Sequence, residues 1–191
     1  GYIQLNTFIS NDAAREFRVA LKKLSKADGL VIDLRDNPGG LLSNALEIAD
    51  MLLEHGPIVS TISRRGKHTD IATGVPLTHQ PIVVVVDEDS ASASEILASA
   101  LQDNNRAILV GTKTYGKGLV QEINKLGTAA VHITVSRYLT PNGSDINEIG
   151  VKPDITVARK EEQLTSAISY LKEKIATSKR PLRTSSLAIS Q

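Results

Sequence analysis

Pro81-Ile82-Val83-Val84-Val85-Val86-Asp87-Glu88-Asp89-Ser90-Ala91-Ser92-Ala93-Ser94-Glu95-Ile96 is the stretch whose reading decides the fold. It opens on an unbroken apolar run. Beyond it, Ile96, Leu97, Ala100 and Leu101 share one face of a helical pattern. The reading is strand, tight acidic turn, helix. Small residues at the turn let another segment come close. A hydroxyl at the mouth of a strand-to-helix turn stands where α/β folds place their chemistry. Ser90, Ser92 and Ser94 compete for that role.

Upstream, residues 1–8 read as a strand. Ser10 or Asn11 can cap a helix through Lys26, with Ala13, Phe17, Ala20, Leu21 and Leu24 as its buried stripe. Gly29 ends that helix. Leu30-Val31-Ile32-Asp33-Leu34 is a short strand buried on both faces. It runs into Arg35-Asp36-Asn37-Pro38-Gly39-Gly40, a turn that needs unusual backbone angles. A helix over 41–54 and a strand over 58–63 follow, then a polar stretch, 64–79, read as a surface loop or short hairpin.

Downstream, Ala107 begins a strand that ends at the glycine-rich loop Gly111-Thr112-Lys113-Thr114-Tyr115-Gly116-Lys117-Gly118. Residues 119–123 and 130–138 read as antiparallel strands joined near Gly127. A turn at Thr140-Pro141-Asn142-Gly143, a last strand at 153–157 and a helix over 160–176 complete the pattern. The two βαβ-like units argue for a parallel or mixed sheet with helices on its faces. No internal repeat is present.

The 191 residues are enough for one domain with a sizeable core. A net charge of +1 gives no support for nucleic-acid or membrane-surface binding, and 3% aromatics leaves few stacking platforms. With no cysteine there is no disulfide, no thiolate metal site and no thiol nucleophile. No apolar run approaches the roughly 20 residues of a membrane helix. The chain opens on Gly1 rather than Met, without a signal peptide, which suggests a processed product or an excised domain.

Ser92 and Glu95 form a capping box, so Ser92 can simply cap its helix. The free N–H groups of that same helix start can also hold the oxyanion of an attacked carbonyl. A nucleophilic serine there needs a base. The histidines at 55, 68, 79 and 132 stand in no recognisable triad context. Lysine is the alternative base, and it works only when neutral, which requires burial or a cationic neighbour. Lys117, between Gly116 and Gly118, can be turned inward by its flexible neighbours; the bland alternative is a solvated loop lysine. Gln121, four residues on, can hold an amine by hydrogen bond without charging it, or can face solvent.

Other constellations carry less. Gly111 to Lys117 fits a phosphate cradle, but Gly118 stands where a Ser or Thr is required and a strand follows instead of a helix. Asn37-Pro38-Gly39-Gly40 can offer an oxyanion donor or be a plain turn. Asp87, Glu88 and Asp89 cannot all face one ion from adjacent positions, and a solvated acidic turn is the expectation. Asp103 falls on the Ser92 face but roughly 16 Å away at 1.5 Å per residue, so its role is structural.

Five motifs in order resemble the carboxyl-terminal processing peptidases, the serine–lysine or tail-specific S41 proteases. They are Gly29 to Gly40, Ser90 to Ile96, Gly111 to Gly118 with Gln121, Tyr138 to Gly143, and Gly150 to Ile155. The resemblance runs over residues 1–157. It implies a crotonase- or ClpP-like α/β core with a mixed sheet. It implies Ser92 as nucleophile, Lys117 as base and Gln121 as its support. Ala93 and one of Gly39 and Gly40 become oxyanion donors, and Asp103 a support residue. It implies no metal and no cofactor, protein substrates cut near exposed C-terminal tails, and a periplasmic or thylakoid-lumen setting. On this reading 1–158 is the catalytic core, 159–176 a helix packing on or extending it, and 177–191 a disordered tail. The PDZ tail reader usual in the family is absent from this stretch, so an inactive or partner-dependent binding core is the alternative. Ser144-Asp145-Ile146-Asn147 is similar to the cyanobacterial and plastid branch.

Overall fold

The structure is a computed structural model that describes residues 1–126 and 129–178. In chain order the elements are β1 (Tyr2–Gln4), α1 (Ala13–Lys23), β2 (Leu30–Asp33), α2 (Leu42–Leu52), β3 (Pro57–Ser63), β4 (Gly66–Ile71), β5 (Ile82–Val86), α3 (Ala93–Asp103), β6 (Ala107–Gly111), β7 (Leu119–Leu126), β8 (Ala129–Leu139), β9 (Ile155–Thr156) and α4 (Lys160–Ser178). The junction expected near Gly127 lies outside the described residues. So does the expected tail, apart from its first two residues, which end α4.

Parallel and antiparallel strands are segregated rather than mixed in one sheet. Five parallel strands run in the order β1-β2-β5-β6-β9, and a four-stranded antiparallel sheet has the order β4-β3-β8-β7. The polar stretch over 64–79 supplies β4, which folds back on β3 as a hairpin.

Alternation along the parallel strands explains the layering. Leu30, Ile32, Ile82 and Val84 join Phe17, Leu21, Ile48, Leu52, Ile96, Leu97 and Leu101 of α1–α3 in the main core. Val31, Val83, Val85 and Val110 point the other way and join Ala167 and Leu171 of α4 in a second cluster. Strands covered by helices on both faces read as continuous apolar runs, as β2 and β5 do here. β5 is buried at every position.

The topology brings three loops to one edge. β2, β5 and β6 are parallel neighbours, in register from Asp33 beside Val85 to Val86 beside Gly111. The turn at 34–40, the turn at 87–92 and the loop at 112–118 therefore leave adjacent carboxyl ends, where open α/β sheets place ligands. Gly111 is needed there: its φ is +137°, and a Cβ would fall 1.9 Å from the Val86 carbonyl oxygen.

Candidate active site

Burial separates the three serines of the turn. Ser90 and Ser94 are fully buried. Ser90 accepts the Asp87 N–H at 3.0 Å and donates to the Leu34 carbonyl at 2.8 Å. Ser94 donates to the Asn37 carbonyl at 2.9 Å. Both are therefore fasteners between the two turns. Ser92 is partly exposed, and its backbone sits at φ 55°, ψ −113°. A residue with a Cβ is rarely found there, and such outliers cluster at functional sites.

Ala93 is the first residue of α3, so its N–H belongs to the unsatisfied donors of a helix start, at the positive end of the dipole. Gly39 faces it directly. A Cβ on Gly39 would lie 2.9 Å from the Ala93 nitrogen and 2.6 Å from the Ala91 carbonyl oxygen, so glycine keeps the space beside that amide open. Gly39 itself donates to Asn37 Oδ1 at 2.9 Å. The Gly40 N–H has no hydrogen-bond partner among the described residues. A side chain on Gly40 would collide with the Phe8–Ile9 backbone.

Glu95 joins this helix start to the glycine-rich loop. It is fully buried and accepts four hydrogen bonds. Ser92 N–H (2.9 Å) and Lys117 N–H (2.8 Å) reach Oε2; Thr114 Oγ1 (2.6 Å) and Gly116 N–H (2.7 Å) reach Oε1. The capping box marks Glu95 as a local cap. Its partners around twenty residues downstream carry no sequence signal of their own.

Lys117 is held at its backbone, while the residue as a whole is exposed on the wall of a cleft of about 630 Å³. That departs from the expected inward, dry amine. The flanking glycines serve close packing instead: Cβ atoms at Gly116 and Gly118 would run into the backbone of Glu148, Gly150 and Asn147. Pro38, Ala91, Tyr115 and Leu119 give the cleft an apolar wall, and Asp36, Asp89 and Glu148 also line it. Gln121 lies on β7, the strand leaving the loop, opposite Thr134 of β8.

The acidic turn is not simply solvated. Glu88 and Asp89 are exposed, but Asp87 is fully buried. Asp87 Oδ1 receives the Asp36 N–H at 3.1 Å and the Asp89 N–H at 3.2 Å. Burial opposes its ionisation, yet the Lys160 ammonium and the Asp36 amide outweigh it and hold the carboxyl below its ordinary range. Asp103 accepts the Asn142 N–H at 3.0 Å and so fastens the end of α3 to the turn at 140–143.

These features can be set beside known proteins. Residues 1–157 match the profile of peptidase family S41. A carboxyl-terminal-processing protease of Picosynechococcus sp. is 50% identical over 161 residues, covering 82% of this chain and 39% of that protein. The chloroplastic carboxyl-terminal-processing peptidase 3 of Arabidopsis thaliana is 44% identical, covering 81% of this chain and 31% of its own length. The solved photosystem II D1 C-terminal processing protease is 41% identical with a TM-score of 0.76, over 83% of this chain and 42% of that one. The chain thus spans about two-fifths or less of each of these relatives. Within that span the fold is the ClpP-like α/β core expected from the motifs. With the profile covering the parallel sheet and all three loops at its carboxyl edge, the chain belongs to peptidase family S41.

Proposed function

We propose that this chain is the catalytic core of a serine endopeptidase that cuts protein substrates near the C-terminus. The observation that carries the reading is the single buried Glu95, which binds the Ser92 and Lys117 backbones together beside an open helix N-terminus. The Ser92 hydroxyl passes its proton to the Lys117 amine, and the oxygen attacks the scissile carbonyl. The Ala93 N–H and one amide of the Gly39–Gly40 pair hold the developing negative oxygen. Collapse breaks the C–N bond, and the proton on Lys117 goes to the leaving amine. Water then attacks the acyl-enzyme, giving a proton to Lys117, and Ser92 recovers its own as the carboxyl product leaves.

Lys117 is exposed, so the dryness that a lysine base needs has to come from the substrate. A peptide seated in the cleft covers the amine and excludes water from it. Gln121, on β7, is the residue that the family resemblance implies as its support. The apolar wall of Pro38, Ala91, Tyr115 and Leu119 suits a substrate tail with apolar side chains. The periplasm or the thylakoid lumen is the proposed setting, in line with relatives whose names include chloroplastic peptidases.

The test is cleavage of an unstructured protein with an apolar C-terminus. The chain cuts it; Ser92→Ala and Lys117→Ala each reduce the rate by at least about a thousandfold. Full activity in Lys117→Ala sinks the dyad. The exposure of Lys117 also favours a second reading, a core that binds but stays dormant until a partner covers the cleft. Labelling of Ser92 by a fluorophosphonate in the isolated chain supports the enzyme; labelling only after a tail-reading partner is added supports the dormant core.

A further inference from the structure

Three carboxylates meet beside the oxyanion turn. One oxygen each of Asp36, Asp87 and Asp89 lies within 4.8 Å of the others, and Asp87 is fully buried. Such a group calls for a cation, and the chain supplies one. The Lys160 ammonium donates to Asp36 Oδ1 at 2.6 Å and stands 2.7 Å from Asp87 Oδ2. The contact with Asp87 is ionic rather than directional, since Oδ2 has no hydrogen-bond partner. The Lys160 carbonyl accepts from Arg35 Nη1 at 3.0 Å, while Nε and Nη2 of Arg35 grip Asp33. The first residue of α4 is thus fixed at both its backbone and its side chain.

We propose that Lys160 is a positioning residue for the oxyanion turn, its ammonium latching helix α4 to the two turns that carry Gly39–Gly40 and Ser92. The inference rests on the peptidase reading above. The route is short. Asp36 has φ +57° and is kept there by the bond from its N–H to Asp87. Asn37 follows, and its carbonyl receives the Ala91 N–H at 3.0 Å and the Ser94 hydroxyl. Removing the ammonium leaves a buried carboxylate oxygen with no cation in contact and two acids repelling across the turn. Asp36 then swings away and takes the Gly39–Gly40 amides with it. Lys160 lies beyond the residues that match the family profile, so a segment outside that match completes the site.

The experiment compares Lys160→Met and Lys160→Arg with the wild-type chain on the same unstructured substrate. Loss of oxyanion geometry lowers kcat, whereas loss of binding raises KM. In Lys160→Met kcat falls roughly tenfold with KM within about twofold, because small misplacements at a reacting centre act on the chemical step. Lys160→Arg recovers at least half of wild-type kcat. A wild-type kcat in Lys160→Met at 25 °C, even with a lowered melting temperature, overturns the latch, as does a pure rise in KM. If Lys160→Met does not fold, Asp36→Asn decides: a kcat reduced about threefold or more supports the latch and an unchanged one overturns it. Failure of the wild-type chain to cleave or to label at Ser92 overturns the peptidase reading and the latch with it. A cleaving wild type with an equally active Lys160→Met overturns the latch alone.

Discussion

Ser92 keeps its Cβ in a backbone region where a side chain costs of order 1–3 kcal/mol. The angle persists because both neighbours are tied down: Ala91 N–H to the Asn37 carbonyl, Ser92 N–H to Glu95. Alanine at 92 removes the hydroxyl and keeps the strain, whereas glycine removes both. Both variants are therefore inactive, and Ser92→Gly is more stable than Ser92→Ala by about 1 kcal/mol. Urea denaturation of the two proteins checks it; an alanine variant equal to or above the glycine one removes the strain argument. Legibility at this scale was uneven. The serines and the lysine were readable as residue types at suggestive places. Lys117 as an inward amine was not, because Gly116 and Gly118 looked like freedom for their neighbour. They are instead demanded by the Asn147–Gly150 backbone passing within van der Waals reach.

Glu95 acts between elements. Within α3 it is the third residue and satisfies one donor at the helix start, a local pairing that sequence spacing reveals. Its other three donors come from Thr114, Gly116 and Lys117, which reach it only because β5 and β6 lie side by side. A partner set that depends on strand order has no periodicity to announce it. Glutamine can accept on one oxygen only, so its amide group would face two buried donors. Glu95→Gln is expected to lose about 2–6 kcal/mol of stability, the sum of two unsatisfied donors. The urea midpoint falls with an unchanged slope, and Ser92 labelling falls with it, because the loop bearing Lys117 loses its anchor to α3. Retention of the wild-type midpoint means the loop is held elsewhere, by the Thr114–Val151 and Glu148–Gly116 backbone bonds. The same contrast governs the sheets. Runs such as Ile82–Val86 declared buried strands, but nothing in them separates parallel strands into one sheet and antiparallel strands into another. That division arises at two places, after α2, where β3 turns back on β4, and after Gly118, where β7 pairs with β8 and β8 pairs with β3.

At the scale of the molecule, the described residues form two apolar clusters, one on each face of the parallel sheet, with no side chain shared between them. What joins α4 to the candidate active-site edge is polar: Arg35, held by Asp33, donates to the Lys160 carbonyl, and the Lys160 ammonium binds Asp36 and Asp87. Its pH window follows from the two directions of shift. Asp87 is held below the ordinary aspartate value, so its contribution is complete above about pH 4 and disappears as pH falls through the depressed native value. The hydrogen bond to Asp36 and the adjoining Asp87 carboxylate raise Lys160 above its ordinary value, so its contribution is complete below about pH 10 and disappears as pH rises through the raised one. Between those limits the ion group is intact and pH-independent. In Lys160→Met the buried Asp87 loses the ammonium that touches it and gains a proton more readily, which relieves the repulsion in acid. The stability gap between wild type and Lys160→Met is therefore widest near neutral pH and narrows in acid, from the raised Asp87 value of the variant down to the depressed value of the wild type. Melting curves of both proteins at intervals of one pH unit measure that gap. A gap that survives at pH 3 means that packing of the Lys160 stem, rather than its charge, fastens α4 to the sheet edge.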